Sequence, residues 1–99
     1  MSSDEPKPKR INIKIQLDDD IAQGRYANLV MLNHTETEFV LDFLYVQPQQ
    51  PKAKVHSRVI TSPRHAKLLL RALQENVSCY EKRFGEIPEV SAATKKLYH

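Results

Sequence analysis

Residues 62–85, SPRHAKLLLRALQENVSCYEKRFG, carry the periodicity of a helix and the punctuation of both its ends. Ser62 is suited to cap the first turn, and Pro63 to occupy the first helical position, where its missing N–H costs nothing. Gly85 stands where the chain must leave the helix. Between them Ala66, Leu70, Leu73, Val77, Tyr80 and Phe84 recur at alternating spacings of four and three, an apolar seam along one side of a helix. Leu68, Leu69 and Ala72 widen it. Such a helix of about 22 residues is roughly 33 Å long at 1.5 Å per residue. A strand of eight or nine residues spans less than about 30 Å. The helix is therefore expected to overhang any sheet built by the rest of the chain.

The upstream sequence changes period. Residues 1–10 are polar and broken by Pro6 and Pro8, the composition of a disordered tail. Residues 11–17 alternate, with Ile11, Ile13, Ile15 and Leu17 on one side and Asn12, Lys14 and Gln16 on the other, which predicts a half-buried strand. The aspartates of DDDIAQGR can cap a short helical turn that Gly24 ends. Tyr26–Asn33 and Glu38–Gln47 are strand candidates joined by a hairpin-length loop. After the QPQQP loop, residues 53–61 supply another strand. Short connections favour antiparallel neighbours. The class is α+β, an antiparallel sheet of about four strands followed by one long C-terminal amphipathic helix. One domain is expected over residues 11–87, with a C-terminal tail at 88–99 and a short helical piece near 89–97.

The third of these strands is apolar on both sides. Phe39, Leu41, Phe43 and Tyr45 project one way, and Val40, Leu44 and Val46 the other, with Asp42 the polar exception. One helix covers one face, so the second face calls for a partner. A chain of 99 residues buries too little surface to supply that cover easily. The expectation is a homo-oligomer whose protein interface includes Val40, Leu44, Val46, Leu68 and Leu69.

Several functional classes find no support in the sequence. The lone Cys79 excludes an internal disulfide and reads as a small packing residue beside the seam. Asp18, Asp19 and Asp20 lack the alternate spacing of a calcium loop. His34, His56, His65 and His99 form no zinc-ligand spacing, so no metal site is expected. With only Gly24 and Gly85 there is no phosphate-binding glycine loop, and no nucleophile elbow occurs. No cofactor and no enzymatic activity are expected. No run approaches a membrane span and the N-terminus lacks a signal-peptide core, so the expected location is cytoplasmic and no membrane partner is foreseen.

Basic residues offer the alternative. Lys54, His56 and Arg58 alternate along a strand and are expected to share a face. Arg64, His65 and Lys67 follow in the first helical turns, with Arg25 able to join. Cations at a helix N-terminus cost about 0.3–1 kcal/mol each at low salt, a cost that a bound anion or a nearby carboxylate offsets. A nucleic-acid surface is one reading. A solvated face paired with Glu36, Glu38 or Asp42 is the other, and a net charge of +3 favours the latter.

Tyr26-Ala27-Asn28 and the run Glu38-Phe39-Val40-Leu41-Asp42-Phe43 resemble the central block of a small prokaryotic family. Ser57-Arg58-Val59-Ile60, Ser62-Pro63 and His65-Ala66-Lys67 look like its next block, and Leu73, Asn76, Tyr80-Glu81 and Phe84-Gly85 like its helix. The family is known only as a domain of unknown function, number 3467. The resemblance covers about residues 10–87 and implies a compact prokaryotic protein, with no activity or catalytic residues to transfer. The order of strands followed by a long helix also looks like the SecB-type export chaperones, an analogy of topology. Together these readings predict a non-enzymatic, homo-oligomeric module that binds another polypeptide, with a chaperone-like use of apolar surface as one form of this; the alternative is a nucleic-acid-binding regulator.

Overall fold

A computed structural model describes residues 12–88. The expected tail at 1–10, the expected C-terminal tail at 88–99 apart from residue 88, and the short helical piece near 89–97 lie outside the described residues. The elements in chain order are α1 (Asp19–Ala22), β1 (Leu29–His34), β2 (Phe39–Val46), β3 (Ala53–Thr61) and α2 (Pro63–Phe84). The class is α+β as expected, but the sheet has three strands rather than four, an antiparallel meander in the order β1-β2-β3.

The missing strand is the one expected at 11–17. Residue 11 lies outside the described residues, and residues 12–18 form no ladder. Ile13, Ile15 and Leu17 are exposed, Ile15 at 91%. Alternation reports a surface fit for half-burial, but a strand also needs a neighbour to take its N–H and C=O groups. Among the described residues, both edges of the meander are left without it.

The aspartate run does form a turn. The Asp18 carbonyl accepts from the N–H groups of Ile21 and Ala22, at 3.0 and 2.8 Å. Gly24 follows at φ 71°, a left-handed conformation that suits glycine. The Asp18 side chain makes no capping bond and instead accepts from Gln16 Nε2 at 2.7 Å.

The hairpin between β1 and β2 is fixed at Thr35, whose Oγ1 accepts from the Thr37 and Glu38 amides at 3.3 and 3.2 Å. At the opposite end of the pair, Asn28 acts as a clamp. Its backbone N–H donates to the Leu44 carbonyl at 3.0 Å. Its side-chain amide donates to the Val46 carbonyl at 3.0 Å and accepts from the Val46 N–H at 2.8 Å, imitating one more rung of sheet.

The core is small. Among the described residues the buried apolar side chains are Leu29, Leu41 and Leu44. Leu29 and Leu44 are cross-strand partners on one face, while Leu41 lies between Leu32 and Val59 on the other. The expectation that the helix covers one sheet face is overturned. No residue of α2 is buried, and substantial packing joins only β1 to β2 and β2 to β3 among the described elements. A single residue, Ser62, separates β3 from α2, and the helix makes no substantial packing with any strand of the described residues. An overhang was legible in the length of the helix; the lack of packing against the described strands was not.

Candidate functional site

The helix starts and stops where its sequence directs. Ser62 Oγ accepts from the His65 amide at 3.2 Å and also lies 2.9 Å from His65 Nδ1. Both contacts converge on the Ser62 hydroxyl, which caps the first turn. Pro63 opens the helix, and Gly85 leaves it at φ 104° with its N–H on the Glu81 carbonyl at 3.0 Å. Glu81 also accepts from the Ile87 amide through Oε2 at 2.9 Å, which ties down the chain beyond the helix.

Along this rod the seam is open. Leu70, Leu73, Val77, Tyr80 and Phe84 are all exposed, and Ala66 is half-buried. Tyr80 and Phe84, one turn apart, pack their rings 5.0 Å apart, and the Arg83 guanidinium lies 5.3 Å from the Phe84 centroid. One flank of the seam carries Lys67, Gln74 and Glu81, each following a seam residue; the other carries Leu69, Asn76 and Arg83, each preceding one. Cys79, expected to pack beside the seam, is exposed.

The five interface residues expected from sequence are therefore redistributed. Leu69 is exposed and borders the seam. Leu68 is exposed too, but at 100° per residue it lies on the side of α2 away from the seam. Val40 and Val46 are half-buried, and Leu44 is only 6% exposed, held between Leu29 and Val55 across the ladder. On the second sheet face the central strand is thus sheltered already, while its cross-strand neighbours Met31, Val55 and Ile60 stay exposed. Open apolar surface lies on the helix as well as on the outer strands at Met31, Leu32, Val55, Val59 and Ile60, and the helical part is one that strand alternation could not signal.

The family model described as a protein of unknown function (DUF3467) matches residues 1–89. The chain belongs to the DUF3467 family. No curated protein and no solved structure matches it.

In this DUF3467 chain the basic residues do not assemble as their spacing suggested. Lys54 stands opposite Tyr45, whereas Arg58 stands opposite Asp42, on the other face of β2. The cause is an irregularity in β3. Phe43 pairs with Ser57 and Leu44 with Val55, so His56 is an extra residue and the alternation reverses there. His56 stacks on Tyr45 with 5.9 Å between centroids, and its Nδ1 lies 3.0 Å from the Tyr26 carbonyl. Arg25 Nη1 donates to the His56 carbonyl at 3.1 Å, so the residues before β1 are strapped across the bulge.

Arg58 forms a forked ion pair with Asp42, Nε to Oδ1 at 2.7 Å and Nη2 to Oδ2 at 2.9 Å. This is the carboxylate pairing that the bland reading of the patch named. The hydrogen bonds from Arg58 hold the Asp42 carboxyl below its ordinary value, against the opposing effect of burial, and the same bonds raise the Arg58 pKa. Arg64, His65 and Lys67 are exposed in the first turns of α2, with no acidic residue among them.

Between α1 and the sheet lies an open depression bordered by Ile21, Arg25, Phe43, His56 and Val59. Among the described residues no group of three His, Cys, Asp or Glu could hold a metal ion. No described helix is long and apolar enough to cross a membrane.

Proposed function

We propose that this DUF3467 protein is a non-enzymatic, cytoplasmic module that acts as a homo-oligomer and binds another polypeptide, with α2 as the element through which copies associate. The observation that carries the reading is the open seam of α2. A water-exposed helix of this length gains most of its stability from packing its apolar side. Here the described residues supply the seam and place no sheet beneath it. The small buried apolar set among the described residues, three leucines, points the same way, since so few residues offset little of the conformational entropy lost in ordering the chain. A second copy is the simplest occupant, because it brings an equal apolar stripe to every encounter.

Sedimentation velocity across a dilution series tests this, with far-ultraviolet circular dichroism at each concentration. Association predicts a dimer or higher species that dissociates on dilution, with helical signal lost in parallel. A monomer of unchanged helicity at every concentration refutes it. Polypeptide binding by the assembled form is tested with a reduced, permanently unfolded protein as ligand. Chaperone-like capture predicts a complex, and a folded control protein should give none.

The nucleic-acid reading draws less support. Arg58 is engaged by Asp42, and the bulge separates it from Lys54. What remains is Arg64, His65 and Lys67 on one helical end. Anisotropy with oligonucleotides at two salt concentrations decides between them, since phosphate binding weakens steeply with salt.

A further inference from the structure

We propose that α2 pairs antiparallel with α2 of a second copy, in the register that sets Leu73 against the partner's Val77. This rests on the self-association reading and specifies its geometry. Seam residues recurring at four and three form the side of a helix that meets another helix along its length. Two identical seams can meet parallel or antiparallel, and the residues here discriminate.

In the antiparallel register Leu73 meets the partner's Val77, Leu70 meets the partner's Tyr80, and Ala66 meets the partner's Phe84. Each layer then joins a larger side chain to a smaller one, and the layers remain of similar thickness along the rod. A parallel pair stacks Ala66 on its own copy at one end, and Tyr80 and Phe84 on theirs at the other. That core tapers, while close helix packing holds the axes roughly 8–10 Å apart.

The flanks give the same answer independently. Antiparallel pairing places Lys67 beside the partner's Glu81 and Glu81 beside the partner's Lys67, with Gln74 facing its own copy between these two ion pairs. On the opposite flank Leu69 meets the aliphatic stem of the partner's Arg83, and Asn76 meets Asn76 of the partner. In the parallel arrangement Lys67 faces the partner's Ser62, Glu81 faces the partner's Asn76, and neither ion pair forms. Antiparallel helices also bring opposite dipole ends together. Lys67 is exposed and Glu81 half-buried, so both are placed to reach a partner; Glu81 Oε2 already accepts from the Ile87 amide, leaving Oε1 for the lysine.

The test uses charge reversal and cysteine cross-linking in the full chain. Lys67→Glu alone and Glu81→Lys alone each convert two attractive contacts into repulsive ones. Each is expected to weaken its own dimer about tenfold at low salt, with the effect shrinking as salt rises. Mixing the two variants restores both contacts in a heterodimer of near-original strength. With Cys79 replaced by Ser, Gln74→Cys should form an intermolecular disulfide on oxidation, and Leu70→Cys should not. Cross-linking through Leu70, or a dimer in which mixing restores nothing, overturns the antiparallel register while leaving self-association standing. A wild-type chain that stays monomeric overturns both.

Discussion

Leu73→Ala isolates the seam from the fold. Leu73 is 58% exposed in the single chain, so over half of its surface is available for burial by a second copy. Alanine removes three carbons, worth about 2.4 kcal/mol if fully buried at about 0.8 kcal/mol each. Scaled by the exposed fraction, the loss is about 1.4 kcal/mol per copy and about 2.8 kcal/mol for a symmetric pair, or about a hundredfold in Kd. Alanine is the better helix former, so the change does not weaken α2 through backbone preference. The assay is sedimentation velocity over a dilution series, with Ser78→Ala as a control at an exposed position off the seam. A Leu73→Ala chain that dissociates at the same concentration as wild type would refute the claim that the seam is where copies meet.

Asn28→Ala should lower stability by about 1–2 kcal/mol, because two side-chain hydrogen bonds to Val46 are lost; thermal unfolding reads this as a drop of several degrees. Ser62→Ala should cost about 1 kcal/mol and fray the start of α2, seen as faster hydrogen exchange at the His65 amide. The Asp42–Arg58 pair gives a pH signature. Folding lowers the Asp42 pKa from 3.8, so the pair's contribution is complete above that value and is lost as pH falls through the lower folded value. Wild type should therefore be more stable than Asp42→Asn near neutrality, and the gap should close as pH drops below 3.8; a gap independent of pH contradicts the pairing.

Local chemistry written into neighbouring residues was readable from the sequence. Ser62, Pro63 and Gly85 bound α2 because capping and chain exit depend on residues within one turn. The runs at 39–46 and 53–61 became β2 and β3 because β-branched and aromatic side chains suit a pleated surface, and the intervening loops are short. The Asp42–Arg58 partnership was visible only as one choice among several carboxylates, since the register that joins them is set by the ladder.

What tertiary structure decided is where each apolar surface goes. Ile13, Ile15 and Leu17 alternate as a strand does, yet pair with no strand among the described residues. Lys54 and Arg58 have the spacing of one face, and a single extra residue at His56 sends them to opposite faces. The seam of α2 declares that the helix must pack, while its periodicity is the same whether the cover is its own sheet or another molecule. A pattern of side chains fixes which surface seeks burial; the geometry of the whole chain fixes what is within reach to bury it.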